Sequence, residues 1–328
     1  MLLVGDIGGT KTDLAIIPLT GDIEPEVEST FKSAEHASLE EIIEIFLANT
    51  QLSVSRAVFG IAGPVVDGTA DVTNLSWPVM SETHLAEKFN LSVVKLLNDL
   101  EIIAHAVPHL PDTDLLSING GQVERALGQH KAVVAPGTGL GEAILFHHAG
   151  GYQVVASEGG HASFAPHSLF EIGLLKHLME KYNHVSYERV CSGGLGIPNI
   201  YNYLKENGYA TENPQVEAEL AQTSDPTPVI IQAGLNQNSE LCIETLNAFV
   251  SILGSEAGNV ALKAMTLGGI YLGGGIPPRI VPKLQDGTFM AAFVKKGRFS
   301  DMLARIPVYV ILNKKPALVG AAYYGRAL

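Results

Sequence analysis

A short pattern occurs twice in this chain and limits what it can fold into: an apolar strand, a glycine turn carrying a threonine, and a second strand. The first copy runs from Met1-Leu2-Leu3-Val4 through Gly5-Asp6-Ile7-Gly8-Gly9-Thr10 to Asp13-Leu14-Ala15-Ile16-Ile17, a run that Pro18 keeps too short for a helix. The second joins Lys131-Ala132-Val133-Val134-Ala135 to Ala143-Ile144-Leu145-Phe146 across Pro136-Gly137-Thr138-Gly139-Leu140-Gly141. Neither turn leads into a helix, and each opens a stretch of about domain length. The 328 residues suit two domains of ordinary size. The pattern therefore predicts two related α/β lobes facing each other across a cleft.

Between the two copies the periodicity alternates. Ser38 and Glu41 have capping-box spacing ahead of Leu39, Ile42, Ile43, Phe46 and Leu47, which predicts a helix. Strands are expected at Ala57–Ile61, near Asp71-Val72-Thr73 and at Val93–Leu97, with a helix over 82–89 capped by Ser81 and another carrying Leu100, Ile103, Ala104 and Val107. Pro108 to Pro111 reads as a boundary. Beyond the second copy, helices are expected over 169–182 and 238–266, strands at Ile270–Leu272 and Val308–Leu312, and a small-residue helix from Ala317. Thr211 to Pro228 reads as a polar surface excursion. Gly254, Ala257, Gly258 and Ala261 form a stripe on the long helix, where close approach of another backbone would offset the poor helix propensity of glycine.

Composition excludes several classes. Lys and Arg total 21 against 34 Asp and Glu, a net charge of −13, so nucleic acid held by bulk charge is not expected. Hydrophobic residues make up 46% and charged residues 17%, enough apolar material for a large core. Two distant cysteines, Cys191 and Cys242, support neither a disulfide framework nor a multi-cysteine zinc site. His147-His148 lacks a further ligand at helical spacing. No window is long and apolar enough to span a membrane, and no basic-then-apolar leader precedes Asp6. A soluble, cytoplasmic protein is expected.

Three places carry residue types suited to chemistry. Glycine turns can converge bare backbone N–H groups on a phosphate, and the first turn adds Thr10, Lys11 and Asp6. Asp6 alone would repel phosphate, so its presence makes sense if Mg²⁺ lies between them, directly or through water. Ordinary hairpin turns are the alternative, but there is no Walker loop and no G-x-G-x-x-G after a strand. Asp99 stands at a strand's carboxyl end and a helix start, where it suits either a base for a substrate hydroxyl or a helix cap. Glu158-Gly159-Gly160-His161 suits the vicinal hydroxyls of a sugar, or is a polar surface turn. Glu188 reads by default as a solvated helix face or a partner of Arg189.

Taken in order, these segments resemble bacterial glucokinases. The shared motifs are Gly5-Asp6-Ile7-Gly8-Gly9-Thr10, Thr73-Asn74-Leu75-Ser76-Trp77, Asn98-Asp99, Gly137-Thr138-Gly139-Leu140-Gly141 and Ser157-Glu158-Gly159-Gly160-His161. Ser186-Tyr187-Glu188-Arg189-Val190, Gly273-Gly274-Gly275-Ile276, Lys296-Gly297-Arg298 and Ile306-Pro307-Val308-Tyr309 continue the match. The resemblance implies a two-lobed, actin-like (ribonuclease H-like) ATPase fold with a central cleft and mixed sheets flanked by helices. It implies a small α/β domain over 1–108, completed by a C-terminal helix at about 316–328, and a large α/β domain over 109–315.

The implied reaction is ATP-dependent phosphorylation of D-glucose at the C6 hydroxyl to glucose 6-phosphate, the first step of glycolysis. Asp99 would be the general base, with Asn98, Glu158, His161 and Glu188 holding the sugar beside it. Gly5, Asp6, Ile7, Gly8, Gly9 and Thr10 would hold the ATP phosphates with Mg²⁺, which Asp6 binds through water. Gly137, Thr138 and Gly139 would add donors, and Gly273, Gly274 and Gly275 would pack near adenosine. A homodimer is also implied.

Two departures from the family pattern stand out: Leu100 replaces a common Phe, and Ala135-Pro136 replaces Gly-Ala, deleting one N–H near the phosphates. A kinase for another hexose or amino-hexose is the main alternative. A sugar-sensing regulator of the same fold would need a DNA-binding domain or cysteine-rich zinc motif, and a chaperone- or filament-type ATPase would need extra domains.

Overall fold

The computed structural model describes residues 1–72, 75–119 and 128–328, which divide into two compact units: Met1–Pro111 with Asn313–Leu328, and Asp112–Leu312. In the first unit the strands are β1 (Leu2–Ile7), β2 (Lys11–Ile17), β3 (Val27–Lys32), β4 (Arg56–Ile61), β5 (Val65–Val66), β6 (Thr69–Ala70), β7 (Met80–Ser81) and β8 (Val93–Asn98). Five of them form one mixed sheet in the order β3-β2-β1-β4-β8, in which β1, β4 and β8 run parallel and β2 and β3 complete an antiparallel meander.

Side-chain alternation sends Leu3, Leu14 and Phe59 to one face, under the helix Leu39–Ala48, and Leu2, Val4 and Val58 to the other. The second face is covered by the helix Pro316–Ala327, whose Ala317, Leu318, Ala321 and Ala322 complete the cluster. Its Gly320 lets the backbone lie against Ile102 of the helix Asp99–Ala106, where a Cβ would collide with the Ile102 carbonyl. Arg326 fastens its end by donating to the carbonyls of Pro18, Gly21 and Asp22.

The second unit repeats the plan. Its strands are β9 (Leu115–Ser117), β10 (Lys131–Pro136), β11 (Leu140–His148), β12 (Gly151–Ser157), β13 (Ile270–Leu272) and β14 (Val308–Ile311), in the order β12-β11-β10-β13-β14-β9. Here β10, β13 and β14 run parallel and β11 and β12 complete the meander, so the first five positions match the other sheet in order and direction. The expected small-residue stripe does allow close approach: Cβ atoms at Gly254 and Gly258 of the helix Glu240–Ala264 would meet the carbonyls of Phe289 and Phe293 on the helix Thr288–Val294.

Three expectations are sharpened. The short strand expected near Asp71-Val72-Thr73 is β6, which ends at Ala70 in a small sheet with β5 and β7, and Thr73 and Asn74 fall outside the described residues. The surface excursion Thr211 to Pro228 is largely exposed and holds the helix Pro214–Leu220, capped by Asn213, and the start of Thr227–Leu235. The helix predicted over 169–182 ends at Met179. Among the described residues, no helix is long and apolar enough to cross a membrane.

Candidate active site

In the first unit the candidate residues meet at the carboxyl edge of three parallel strands. Ile7 of β1 lies level with Ile61 of β4, which lies level with Asn98 of β8, so the first glycine turn and Asn98-Asp99 emerge from one edge. The turn is narrower than the motif. Gly5 lies within β1, where a Cβ would overlap Leu14 and Phe59 at 2.7 and 2.8 Å, and the Ile7 side chain is buried in the core. Gly5 and Ile7 thus shape the strand, and Gly8, Gly9 and Thr10 make the turn. Ser33 pulls the turn's carbonyls inward, donating from Oγ to Gly8 O at 2.6 Å and from N to Thr10 O at 3.1 Å. Among the described residues nothing accepts from the N–H groups of Gly9 and Thr10, which leaves two backbone donors for an anion.

The carboxylates on this edge influence each other. Burial first, then the charges of Asp99 and Asp13, push the Asp6 carboxyl up to about 6, with Lys11 opposing. Lys11 is already engaged, donating to buried Asp13 at 2.6 Å, so it offers less to a phosphate than its place in the motif suggests. The capping role goes chiefly to Asn98, whose Oδ1 accepts from Leu100 N at 3.0 Å while Nδ2 donates to Gly63 O at 3.1 Å. Asp99 Oδ1 also accepts from Leu100 N, at 2.8 Å. Leu100 is buried. Against burial, Lys11 and Thr30 hold Asp13 below the usual carboxylate range, so Asp6 is the acid of this edge whose proton affinity burial and its neighbours raise, and a carboxylate under such repulsion suits a divalent cation.

In the second unit the remaining candidates surround the second glycine turn. Gly193 N donates to Gly137 O at 2.8 Å and Gly194 N to Thr138 O at 2.9 Å, so this turn's carbonyls are held by backbone alone. Gly273-Gly274-Gly275 follows β13 beside it. Gly274 has a φ of +78° and a Cβ there would lie 2.5 Å from Pro136 O, a carbonyl that also accepts from Ile276 N at 3.3 Å. Pro136 itself ends β10, where a missing N–H is tolerated.

The Glu158 loop is packed against the start of β11: a Cβ at Gly160 would collide with Leu140 O, and one at Gly159 with the Glu142 carboxylate. An antiparallel bridge between Ser163 and Ser186, with Tyr187 N donating to Ala162 O at 3.0 Å, stitches this loop to the segment bearing Glu188. As a result His161 stands between two carboxylates, Nε2 at 3.8 Å from Glu158 and Nδ1 at 3.6 Å from Glu188. Glu158 is 84% exposed and Glu188 20%. Glu188 Oε1 sits over Gly139, 2.8 Å from where a Cβ would be, so Glu188 touches the turn itself and not Arg189. Arg189 instead lies over the Tyr182 ring.

Sequence reading missed Ser192-Gly193-Gly194, whose paired glycines after a short helix were the available signal, and it missed buried Glu142 and Glu256. A pocket of about 320 Å³ lined by Tyr201, Lys205, Glu212 and Ile230 contains none of the candidate residues, and its Lys205 is already paired with Glu212 and Glu217.

A family model described as Glucokinase matches residues 3–328. The chain belongs to the glucokinase family. It is 38% identical over 340 residues to the glucokinase of Nostoc sp. (strain PCC 7120), covering 98% of each chain. The crystal structure of a glucokinase from an Antarctic psychrotroph is similar at a TM-score of 0.86 and 32% identity, covering 100% of this chain and 99% of that one. A ROK-family glucokinase from Streptomyces griseus, solved with glucose and AMPPNP, shares the fold at a TM-score of 0.63 and 22% identity, covering 100% and 99%. The glucokinase family thus has a mixed α/β fold in common with ROK-family sugar kinases.

Proposed function

We propose that this protein transfers the γ-phosphoryl group of ATP to the C6 hydroxyl of D-glucose, giving ADP and glucose 6-phosphate. The observation that supports the residue assignment is the shared edge of β1, β4 and β8, from which Asn98-Asp99 and the first glycine turn both emerge, with Asp99 close enough to act on Asp6. Asp99 takes the proton from O6 as that oxygen attacks the γ-phosphorus in line; the new O6–P bond forms and the bridging P–O bond to ADP breaks. Asn98, Glu158, His161 and Glu188 hold the other hydroxyls, with carboxylates accepting and the spare Asn98 N–H donating. The N–H groups of Gly9 and Thr10 and of Thr138 and Gly139 are offered to the phosphates, those of Gly8 and Gly137 being donated to Lys11 O and Gly139 O within the turns, and Gly273-Gly274-Gly275 leaves open backbone for adenosine.

The acidic edge fits a hydrated Mg²⁺, which Asp6 would hold through water. Such an ion, when bound, neutralises phosphate charge. Because Asp6 has a raised proton affinity, it takes up a proton below about pH 6, and the nucleotide site weakens there.

The same reading assigns the two units to the lobes of an actin-like, ribonuclease H-like ATPase, a small domain of residues 1–108 completed by 316–328 and a large domain of 109–315. It also assigns the protein to the cytoplasm as a homodimer. The helix Leu169–Met179 supports the dimer: Leu169, Ile172 and Met179 are exposed along it although all are large and apolar.

A coupled assay of phosphate transfer from ATP with Mg²⁺ to glucose tests the proposal. A hexose panel compared by kcat/KM should place glucose first; another winner, or ATP turnover indifferent to sugar, would overturn the substrate assignment.

A further inference from the structure

Glu188 opens a helix of only four residues, Glu188–Cys191, which is too short to hold a side chain in place by itself. The residue before it, Tyr187, is buried and tied down along its whole length. Tyr187 N donates to Ala162 O at 3.0 Å, next to His161, and Phe164 N donates back to Val185 O at 2.9 Å. The Tyr187 carbonyl accepts from Val190 N at 2.9 Å and Cys191 N at 2.7 Å, which winds the turn carrying Glu188. Its ring stands edge-on to Phe164, with centroids 5.6 Å apart and planes at 78°. The far end of the ring is polar. Tyr187 Oη accepts from Asn259 Nδ2 at 2.9 Å, on the helix Glu240–Ala264, and that nitrogen also donates to Glu256 Oε2 at 2.9 Å, one turn back.

The reaction as proposed uses none of Tyr187, Asn259 and Glu256. A phenylalanine would bring the same apolar ring to this place, whereas a buried hydroxyl must be paired and its partners desolvated. Core packing therefore does not account for the hydroxyl. Apolar contact is non-directional and lets a ring slide or tilt, while a hydrogen bond to a side chain on a 25-residue helix fixes its depth and angle. Glu256, fully buried, fixes the Asn259 amide in turn, so the anchor is itself held. Burial first, then the charge of Glu256, pushes the phenol well above its usual range, and the hydroxyl stays uncharged at any working pH. With ring, N–H and carbonyl all fixed, the backbone is set on one side of Glu188, which stands 3.6 Å from His161 and over Gly139.

We propose that Tyr187 is a positioning residue whose hydroxyl, anchored on Asn259, sets Glu188 at the spacing from His161 at which the two hold the sugar. The path is continuous: Glu256 to Asn259, Asn259 to the Tyr187 hydroxyl, and the Tyr187 backbone to Ala162 on one side and to Glu188 on the other. The role in sugar affinity rests on the proposed function; the anchor does not.

The test uses the whole protein and Tyr187→Phe, which removes the hydroxyl and keeps the ring. Glucose KM should rise about fivefold, the order of one hydrogen bond, with kcat and ATP KM little changed, the pattern of binding lost equally in ground and transition states. Asn259→Leu removes the anchor from the helix side, and adding it to Tyr187→Phe should raise glucose KM no further. Single-deoxy analogues of glucose, each lacking one hydroxyl other than O6, separate positioning from general loosening. The penalty of Tyr187→Phe should vanish for the analogue that lacks the hydroxyl Glu188 holds and persist for the others. A penalty equal for every analogue overturns the role, as does an unchanged glucose KM or a loss carried by kcat or ATP KM. Amide hydrogen exchange without sugar decides the anchor separately: the N–H groups of Phe164, Tyr187, Val190 and Cys191 should exchange about tenfold faster in Tyr187→Phe, with those of β10 and β13 unchanged. Equal protection in the two proteins overturns the anchor. If the wild type phosphorylates no sugar at all, the proposed function fails while exchange still decides the anchor.

Discussion

The two glycine turns sit at the same place in two sheets of the same strand order, yet they are held by different means. In the first, one residue does the work from both side chain and backbone: Ser33 Oγ donates to the carbonyl of Gly8 and Ser33 N to that of Thr10. In the second, the N–H groups of Gly193 and Gly194 take the carbonyls of Gly137 and Thr138, with no side chain between the backbones. The charges differ too. Asp6, Asp13 and Asp99 crowd the first turn, whereas Glu188 alone stands over the second, with His161 close to it. A shared topology thus sets a glycine turn at the same edge of each sheet, and on the proposed function the surroundings place the base in one unit and most of the sugar-holding groups in the other.

The largest expected effect tests that division. Asp99→Asn should lower kcat by ~10²-fold or more, with an unchanged melting temperature and a nearly unchanged glucose KM. A loss expressed mainly in KM would move Asp99 to the holding side.

Stability should separate the turns next. Gly194→Ala places a Cβ 2.7 Å from Thr138 O, against backbone that has little room to move, and should cost about 2–4 kcal/mol in denaturant unfolding. Gly137→Ala, with nothing within 4 Å of the added Cβ, should stay within about 0.5 kcal/mol and reveal itself, if at all, in ATP KM. Ser33→Ala in the first turn should fall between them at about 1–2 kcal/mol, because it removes the bonds to Gly8 O and Thr12 Oγ1 but creates no overlap. Equal losses for Gly194→Ala and Ser33→Ala would erase the contrast.

The smallest effect depends on pH. Asp6 holds its proton more tightly folded than unfolded, so its contribution to stability is complete below about 3.8 and is lost as pH rises through about 6. Asp6→Asn never ionises and should become more stable than the wild type as pH rises from 4 to 7, by about 1 kcal/mol in ligand-free protein. Nucleotide binding should move the other way, strengthening in the wild type as pH passes through about 6 and weakening in Asp6→Asn.

Local pattern carried the turns, the capped helices and the long small-residue helix, because each depends on neighbours in sequence. Ser38 accepts from Glu41 N as its spacing predicts, and the Gly254 and Gly258 stripe meets backbone as its composition predicts. What stayed hidden depends on partners far along the chain. Gly5 looks like part of a turn until Leu14 and Phe59 fill its space, and β3 alternates half-buried and exposed residues as an edge strand. Asn98 and Asp99 were legible as a pair, but which of them caps the helix was decided by Gly63 and Leu100. Glu142 and Glu256 are 114 positions apart and resemble solvated acids in any local window. Only their burial gives them meaning.

The last helix has a consequence for how the protein is made. Ala317, Leu318, Ala321 and Ala322 belong to the core of the first unit, and Arg326 ties down the carbonyls after β2. During synthesis, residues 112–312 can collapse while the ribosome is still at work, because their unit is continuous. Strands β1, β2 and β4 leave the ribosome well before the helix Pro316–Ala327 and remain one apolar face short until it follows. A sheet made early is therefore sealed late, and its uncovered face is where a chaperone would act in the interval.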